Sequence, residues 1–62
     1  MTIAEAKEQL PIGGLYTIGT GKVILELTGF WEGGEIYARF RKPDAHWITT
    51  SAALWRIKEV RS

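Results

Sequence analysis

Apolar residues fall at every second position through the middle of this chain. From Lys22 to Phe30, Val23, Leu25 and Leu27 alternate with Ile24, Glu26 and Thr28. From Glu35 to Arg41, Ile36, Ala38 and Phe40 alternate with Tyr37, Arg39 and Arg41. Successive side chains of a strand point to opposite faces, so both runs predict half-buried strands. Val23, Leu25 and Leu27 belong inside on the first, and Ile36, Ala38 and Phe40 on the second. Shorter runs predict three more strands, Leu15 to Ile18, His46 to Thr50 and Trp55 to Val60.

The first ten residues follow a different pattern. Ile3, Ala6 and Leu10 share one face of a helix, and Thr2-Ile3-Ala4-Glu5 has the spacing of a capping box. Pro11 ends the helix, because the residue before a proline avoids the helical region. One or two turns are marginal alone, so this segment must dock on the sheet or fray.

The turns set the expected registers. Gly19-Thr20-Gly21 reads as a turn, and Trp31-Glu32-Gly33-Gly34 as a four-residue loop. That loop puts Phe30 opposite Glu35, Leu27 opposite Ala38 and Leu25 opposite Phe40, with Trp31 near the tip. A tighter Gly33-Gly34 turn would set Glu32 against Glu35. In Lys42-Pro43-Asp44-Ala45 the proline suits the second position of a type I turn. With Lys42 opposite Ala45, Arg41 faces His46, Phe40 faces Trp47 and Arg39 faces Ile48, so Trp47 is expected inside. Ser51 to Leu54 suits a single 3-10 turn.

Five short strands, with one helical turn before the last, resemble an SH3-like barrel. The resemblance covers residues 13–60 and rests on element order and on "TTSAALWRI" as a turn-then-strand closure. Tudor, chromo and KOW-type domains are similar in outline, and an OB-like barrel is the alternative fold. The fold class expected is mainly β, a five-stranded SH3-like small barrel with a short N-terminal helix.

Length allows one domain, residues 1–62, with a helical segment over 1–10 and the barrel over 13–60. So short a chain buries only about 60% of the surface its unfolded form exposes, and such folds often need staples. There is no cysteine to supply a disulfide, and His46 is the one histidine that could bind a metal. No metal or other cofactor is therefore expected. Three Trp, two Tyr and two Phe must carry the packing, or self-association must add to it. No apolar run has the length of a membrane span, and Glu5, Lys7 and Glu8 break any signal-peptide core. A cytoplasmic location is the expectation, with a phage or mobile-element origin suggested by size alone.

The formal charge of +1 hides an asymmetry. Residues 1–35 carry two lysines against five glutamates, a net −3. Residues 36–62 carry six cations against Asp44 and Glu59, a net +4. With Ile36, Ala38 and Phe40 inward, Tyr37, Arg39 and Arg41 form an outward stripe beside Lys42, and Arg56 and Lys58 point outward from the last strand. Cations neutralise phosphates, and Tyr37 or Trp31 can stack on a base. These residues make up a candidate DNA- or RNA-binding face. The competing reading is that Arg, Lys and Thr simply keep a strand face wet.

Trp31 either folds back over Leu27 or Ile36, or anchors a protein partner. An aromatic cage with Tyr37 would need more rings converging, and parity puts Trp47 on the other side. Outward Ile24 and Ile48 are covered by the N-terminal helix or form a patch for a homo-oligomer or another protein. Asp44 and His46 have no nucleophile beside them, so no enzyme activity is expected, and so small a barrel is expected to lack a ligand-sized pocket. Gly19-Thr20-Gly21-Lys22 lacks phosphate-loop spacing, and a hairpin turn explains it. The expected function is a small non-enzymatic binding module for nucleic acid, with protein interaction or self-assembly through Trp31, Ile24 and Ile48 as the alternative.

Overall fold

The computed structural model describes residues 2–60. Arg61, counted in the charge of the second half, lies outside the described residues. The chain forms α1 (Ile3–Gln9), β1 (Leu15–Ile18), β2 (Leu25–Gly33), β3 (Glu35–Lys42), β4 (Ala45–Ala53), a 3-10 turn (Leu54–Arg56) and β5 (Ile57–Glu59). The strands make one antiparallel sheet in the order β4-β3-β2-β1-β5. β4 and β5 are its two edges, and the sheet does not close into a barrel.

The capping box forms as its spacing predicts. Thr2 Oγ1 accepts from the Glu5 N–H at 3.2 Å, and Glu5 Oε1 accepts from the Thr2 N–H at 3.0 Å. Ala6 is buried and Leu10 packs against the core, so the helix docks on the sheet instead of fraying. Beyond Pro11, Gly13 takes the left-handed conformation (φ 92°). Its N–H donates to the Leu27 carbonyl at 2.8 Å, and the Leu27 N–H donates to the Gly14 carbonyl at 3.0 Å. The helix is thereby tied to β2 through backbone as well as through Leu10.

Strand β3 follows its alternation throughout. Ile36, Ala38 and Phe40 are buried, and they join Tyr16, Leu25, Leu27 and Ala52 on the core side of the sheet. The Tyr16 ring meets Phe40 edge-on, with centroids 6.3 Å apart. Leu10, Ile18, Phe30, Leu54 and Ile57 pack around this cluster.

β2 departs from its expected bounds at both ends. It starts at Leu25, and Val23, expected inside, is exposed. At the other end Gly34 (φ 86°) makes a turn so tight that β2 runs on to Gly33. Phe30 therefore pairs with Ala38, Trp31 with Tyr37 and Glu32 with Ile36, which avoids any Glu32–Glu35 juxtaposition. Period two alone would put Phe30 and Leu27 on opposite faces. A bulge at Thr28 resolves the conflict by adding one residue, so Leu27 pairs with Phe40 and both apolar side chains face the core. Leu25 finds its partner in Tyr16 of β1.

β4 departs further. Lys42 does pair with Ala45 across the Pro43-Asp44 turn, but His46, Trp47 and Ile48 are then passed over and Arg41 pairs with Thr49. Phe40 faces Thr50 and Arg39 faces Ser51. Trp47, expected inside, is 82% exposed. Phe40 is already enclosed by Tyr16 and Leu27, and small Ala52 opposite Ala38 completes the buried layer. The three-residue skip moves Thr50 into the place expected for Trp47, opposite Phe40, and at an edge water replaces the backbone bonds the skip costs. β4 runs on to Ala53, so the 3-10 turn falls at Leu54–Arg56, and β5 is shorter than expected.

Candidate binding face

The outward side of the sheet is built in rungs fixed by the registers. One rung is Glu26–Arg41–Thr49, the next Gly29–Arg39–Ser51, and the third Trp31–Tyr37–Ala53. β3 is the middle strand of each, which is why its alternation places Tyr37, Arg39 and Arg41 in one row.

Trp31 lies across this row. Its indole stacks on the Tyr37 ring with centroids 4.5 Å apart and planes 20° from parallel. Its Nε1–H donates to Ser51 Oγ at 3.3 Å, reaching over β3 from β2 to β4. Gly33 makes room for this pose, since a Cβ there would stand 2.7 Å from the indole ring. Trp31 thus neither caps Leu27 or Ile36 nor stands free at a loop tip. The Gly34 turn puts it opposite Tyr37, a register that the expected four-residue loop does not give.

The two arginines have different surroundings. Arg39 is exposed, and among the described residues it has no ion-pair partner. Arg41 Nε donates to Glu26 Oε1 at 2.8 Å, with both side chains partly covered. The hydrogen bond from Arg41 holds the Glu26 carboxyl below its ordinary value, and the same bond raises Arg41. Half of the expected arginine pair is therefore neutralised by an acid that faces it across the rung. The expected register, with Leu25 opposite Phe40, sets Glu26 across from Arg39; the Gly34 turn and the Thr28 bulge bring it to Arg41 instead.

Lys42 is half-buried and, one step beyond Arg41, falls on the Phe40 side of β3 and not in the outward row. Lys58 pairs with Thr17, and Thr17 shares a face with Leu15, the partner of Glu26. Lys58 thus belongs to the same side of the sheet but lies at the far edge, separated from β3 by β2 and β1. Arg56 sits in the 3-10 turn, where its carbonyl accepts from the Gly19 N–H at 2.7 Å. The structure gathers Tyr37, Arg39, Arg41 and Trp31, and leaves Arg56 and Lys58 apart from them.

Ile24 and Ile48 stay exposed, because α1 covers the core and not these residues. Asp44 and His46 are exposed, with no hydrogen bond between them. Gly19 (φ 58°) and the Gly21 N–H donating to the Ile18 carbonyl at 2.9 Å make the turn expected there. Contrary to expectation there is a ligand-sized groove of about 530 Å³, lined by Gln9, Glu32, Gly34, Glu35, Ile36, Leu54 and Trp55. It is open to solvent and holds carboxylates without a nucleophile. Among the described residues no group of His, Asp and Glu is arranged to hold a metal ion, and no helix is long and apolar enough to cross a membrane. The chain matches no known family model, no curated protein and no solved structure.

Proposed function

We propose that this chain is a non-enzymatic binding module whose outer sheet face takes single-stranded nucleic acid. The observation that carries the reading is the stacked Trp31–Tyr37 pair beside exposed Arg39 on an open face. A preformed aromatic surface offers a base a stacking partner worth about 1–3 kcal/mol, independent of sequence. Arg39 supplies a phosphate contact next to it, and Arg41 contributes less because Glu26 competes for it. Lys58 and Arg56 add charge along the path of a longer strand. A net charge of +1 implies weak affinity with a shallow salt dependence.

The strand order, with a 3-10 turn between β4 and β5, supports reading the sheet as an SH3-like barrel left open along the β4–β5 seam. The absence of cysteine suits a reducing cytoplasm. The alternative, a protein-interaction module, keeps exposed Ile24 and Ile48 in its favour but loses Trp31, which is engaged with Tyr37 and Ser51.

Titration of labelled single- and double-stranded DNA and RNA at two salt concentrations tests the proposal. Binding of single strands that weakens with salt is expected. Tyr37→Ala should weaken it about tenfold, within the range of one lost stacking contact. Arg39→Ala should lower the salt slope by about 1. No binding of any strand at low salt, or binding indifferent to both substitutions, overturns it.

A further inference from the structure

The groove of about 530 Å³ opens where three elements meet: the last residue of α1, the β2–β3 turn and the 3-10 turn. Its lining divides by chemistry. Ile36 is buried and Leu54 packs against the core, so these two supply its apolar part. Gln9, Glu32 and Glu35 are exposed polar residues around them, and Trp55 adds an indole that is 80% exposed. No Lys, Arg or His lines the groove. Glu32 pairs with Ile36, so it belongs to the core side of the sheet, away from the row of Tyr37, Arg39 and Arg41.

The charged and aromatic groups of the groove are unengaged. Among the described residues neither glutamate side chain has a hydrogen bond or an ion pair, and the Trp55 indole has no ring stacked on it and no acceptor for its N–H. Leu54 makes the core contact of the 3-10 turn, and Trp55 adds nothing to it. Arg56, next in the chain, lies against the Gly19 turn, where a Cβ on Gly19 would stand 3.6 Å from its Nη2.

We infer that this groove takes an arginine side chain presented by an extended segment of a partner protein. The inference is independent of the nucleic-acid reading. Charge is the first selector: two uncompensated carboxylates with no cation beside them attract a cation and repel phosphates. The indole is the second. A tryptophan face is the best aromatic partner for a cation, and a guanidinium is flat enough to stack on it while its fork of donors reaches a carboxylate. An ammonium is a compact, strongly hydrated point charge and does both less well. The apolar lining is the third, since Ile36 and Leu54 suit the methylene stem of a long cationic side chain. Size and openness favour a protein segment over a free small cation. The groove is within the range of ligand sites, exceeds the volume of one side chain, and leaves room for the residues that flank the arginine.

Titration of the full chain with the peptide acetyl-Gly-Gly-Arg-Gly-Gly-amide, followed by backbone-amide NMR, tests this. Further arms replace the arginine by lysine or by its neutral analogue citrulline, or use agmatine, a free guanidinium without a peptide backbone. The expected result is saturable shifts confined to Gln9, Glu32–Ile36, Leu54 and Trp55. Citrulline should abolish them, and the lysine peptide and agmatine should each bind several-fold more weakly than the arginine peptide. Trp55→Ser and Glu32→Gln should each weaken binding about three- to fivefold, in line with one exposed cation–π contact or ion pair. Both residues are outside the core, so far-UV circular dichroism should stay unchanged. Trp55→Ser should also leave oligonucleotide binding as it is, so the two readings fail separately. No saturable shift at the highest soluble peptide concentration overturns the inference. So do shifts spread over other acids such as Glu26 and Glu59, citrulline or lysine peptides or agmatine binding as tightly as the arginine peptide, or binding indifferent to both substitutions.

Discussion

β3 and β4 are neighbours of similar length, but β3 has a hydrogen-bonded strand on each side and β4 has one on one side only. Ile36, Ala38 and Phe40 of β3 are all buried, and Tyr37, Arg39 and Arg41 form one outward row. β4 skips three residues after its turn and exposes Trp47. A one-residue slip in β3 would turn Phe40 into water and break two ladders. A three-residue loop in β4 costs only a few backbone hydrogen bonds that water can replace. Hydrophobic alternation is thus a reliable guide where two neighbours and a core enforce it, and a poor one at an edge.

Phe40→Ala gives the largest effect and tests the central half of this contrast. Phe40 is fully buried against Tyr16 and Leu27. Truncating a buried Phe costs about 3–5 kcal/mol. A chain of this length has roughly 3–9 kcal/mol in total. Urea unfolding should therefore show a protein that is marginally folded or unfolded at 25 °C. A midpoint close to that of the parent chain would mean that β3 is not the centre of the core.

The same reasoning explains what could be read from the sequence. The mainly β character, the capping box at Thr2 and Glu5, and the inward Ile36, Ala38 and Phe40 all follow from local chemistry or from period two. The Lys42–Ala45 pairing followed from proline in a turn. The Thr28 bulge did not, because it reconciles Leu27 with Phe30, which lie on opposite faces until a third strand fixes which side is buried. Trp47 was misplaced because the three-residue skip in β4 shifts the register, and apolarity alone does not reveal a skip at an edge. On the candidate face, the row of Tyr37, Arg39 and Arg41 was legible. The Glu26 partner and the Trp31 stack were not, since both depend on the β2–β3 register.

A smaller effect separates Arg41 from Arg39 by pH. Arg41 holds the Glu26 carboxyl below its ordinary value of 4.5. A carboxylate depressed in the folded state adds stability above the unfolded pKa and loses it as pH falls through the folded one. Thermal midpoints of the parent chain should therefore fall as pH drops below about 4.5, and Glu26→Gln should flatten part of that fall. Some acid sensitivity should persist in Glu26→Gln, because the Thr2 backbone and side chain depress Glu5 in the same direction. Identical pH profiles for the two proteins would show that the Glu26–Arg41 contact does not persist in solution, leaving both arginines of the row equally available.

The smallest expected effect is the one most telling about the edge. Trp47→Ser should change stability by no more than about 0.5 kcal/mol, the usual range for surface substitutions. Replacing a tryptophan normally ranks among the costliest changes a small protein can suffer, at about 3–5 kcal/mol when the ring is buried. The two expectations differ by several kcal/mol, so a single unfolding curve distinguishes them. A large loss would place the indole inside against Phe40, restore the Arg41–His46 and Arg39–Ile48 pairs, and remove the three-residue bulge.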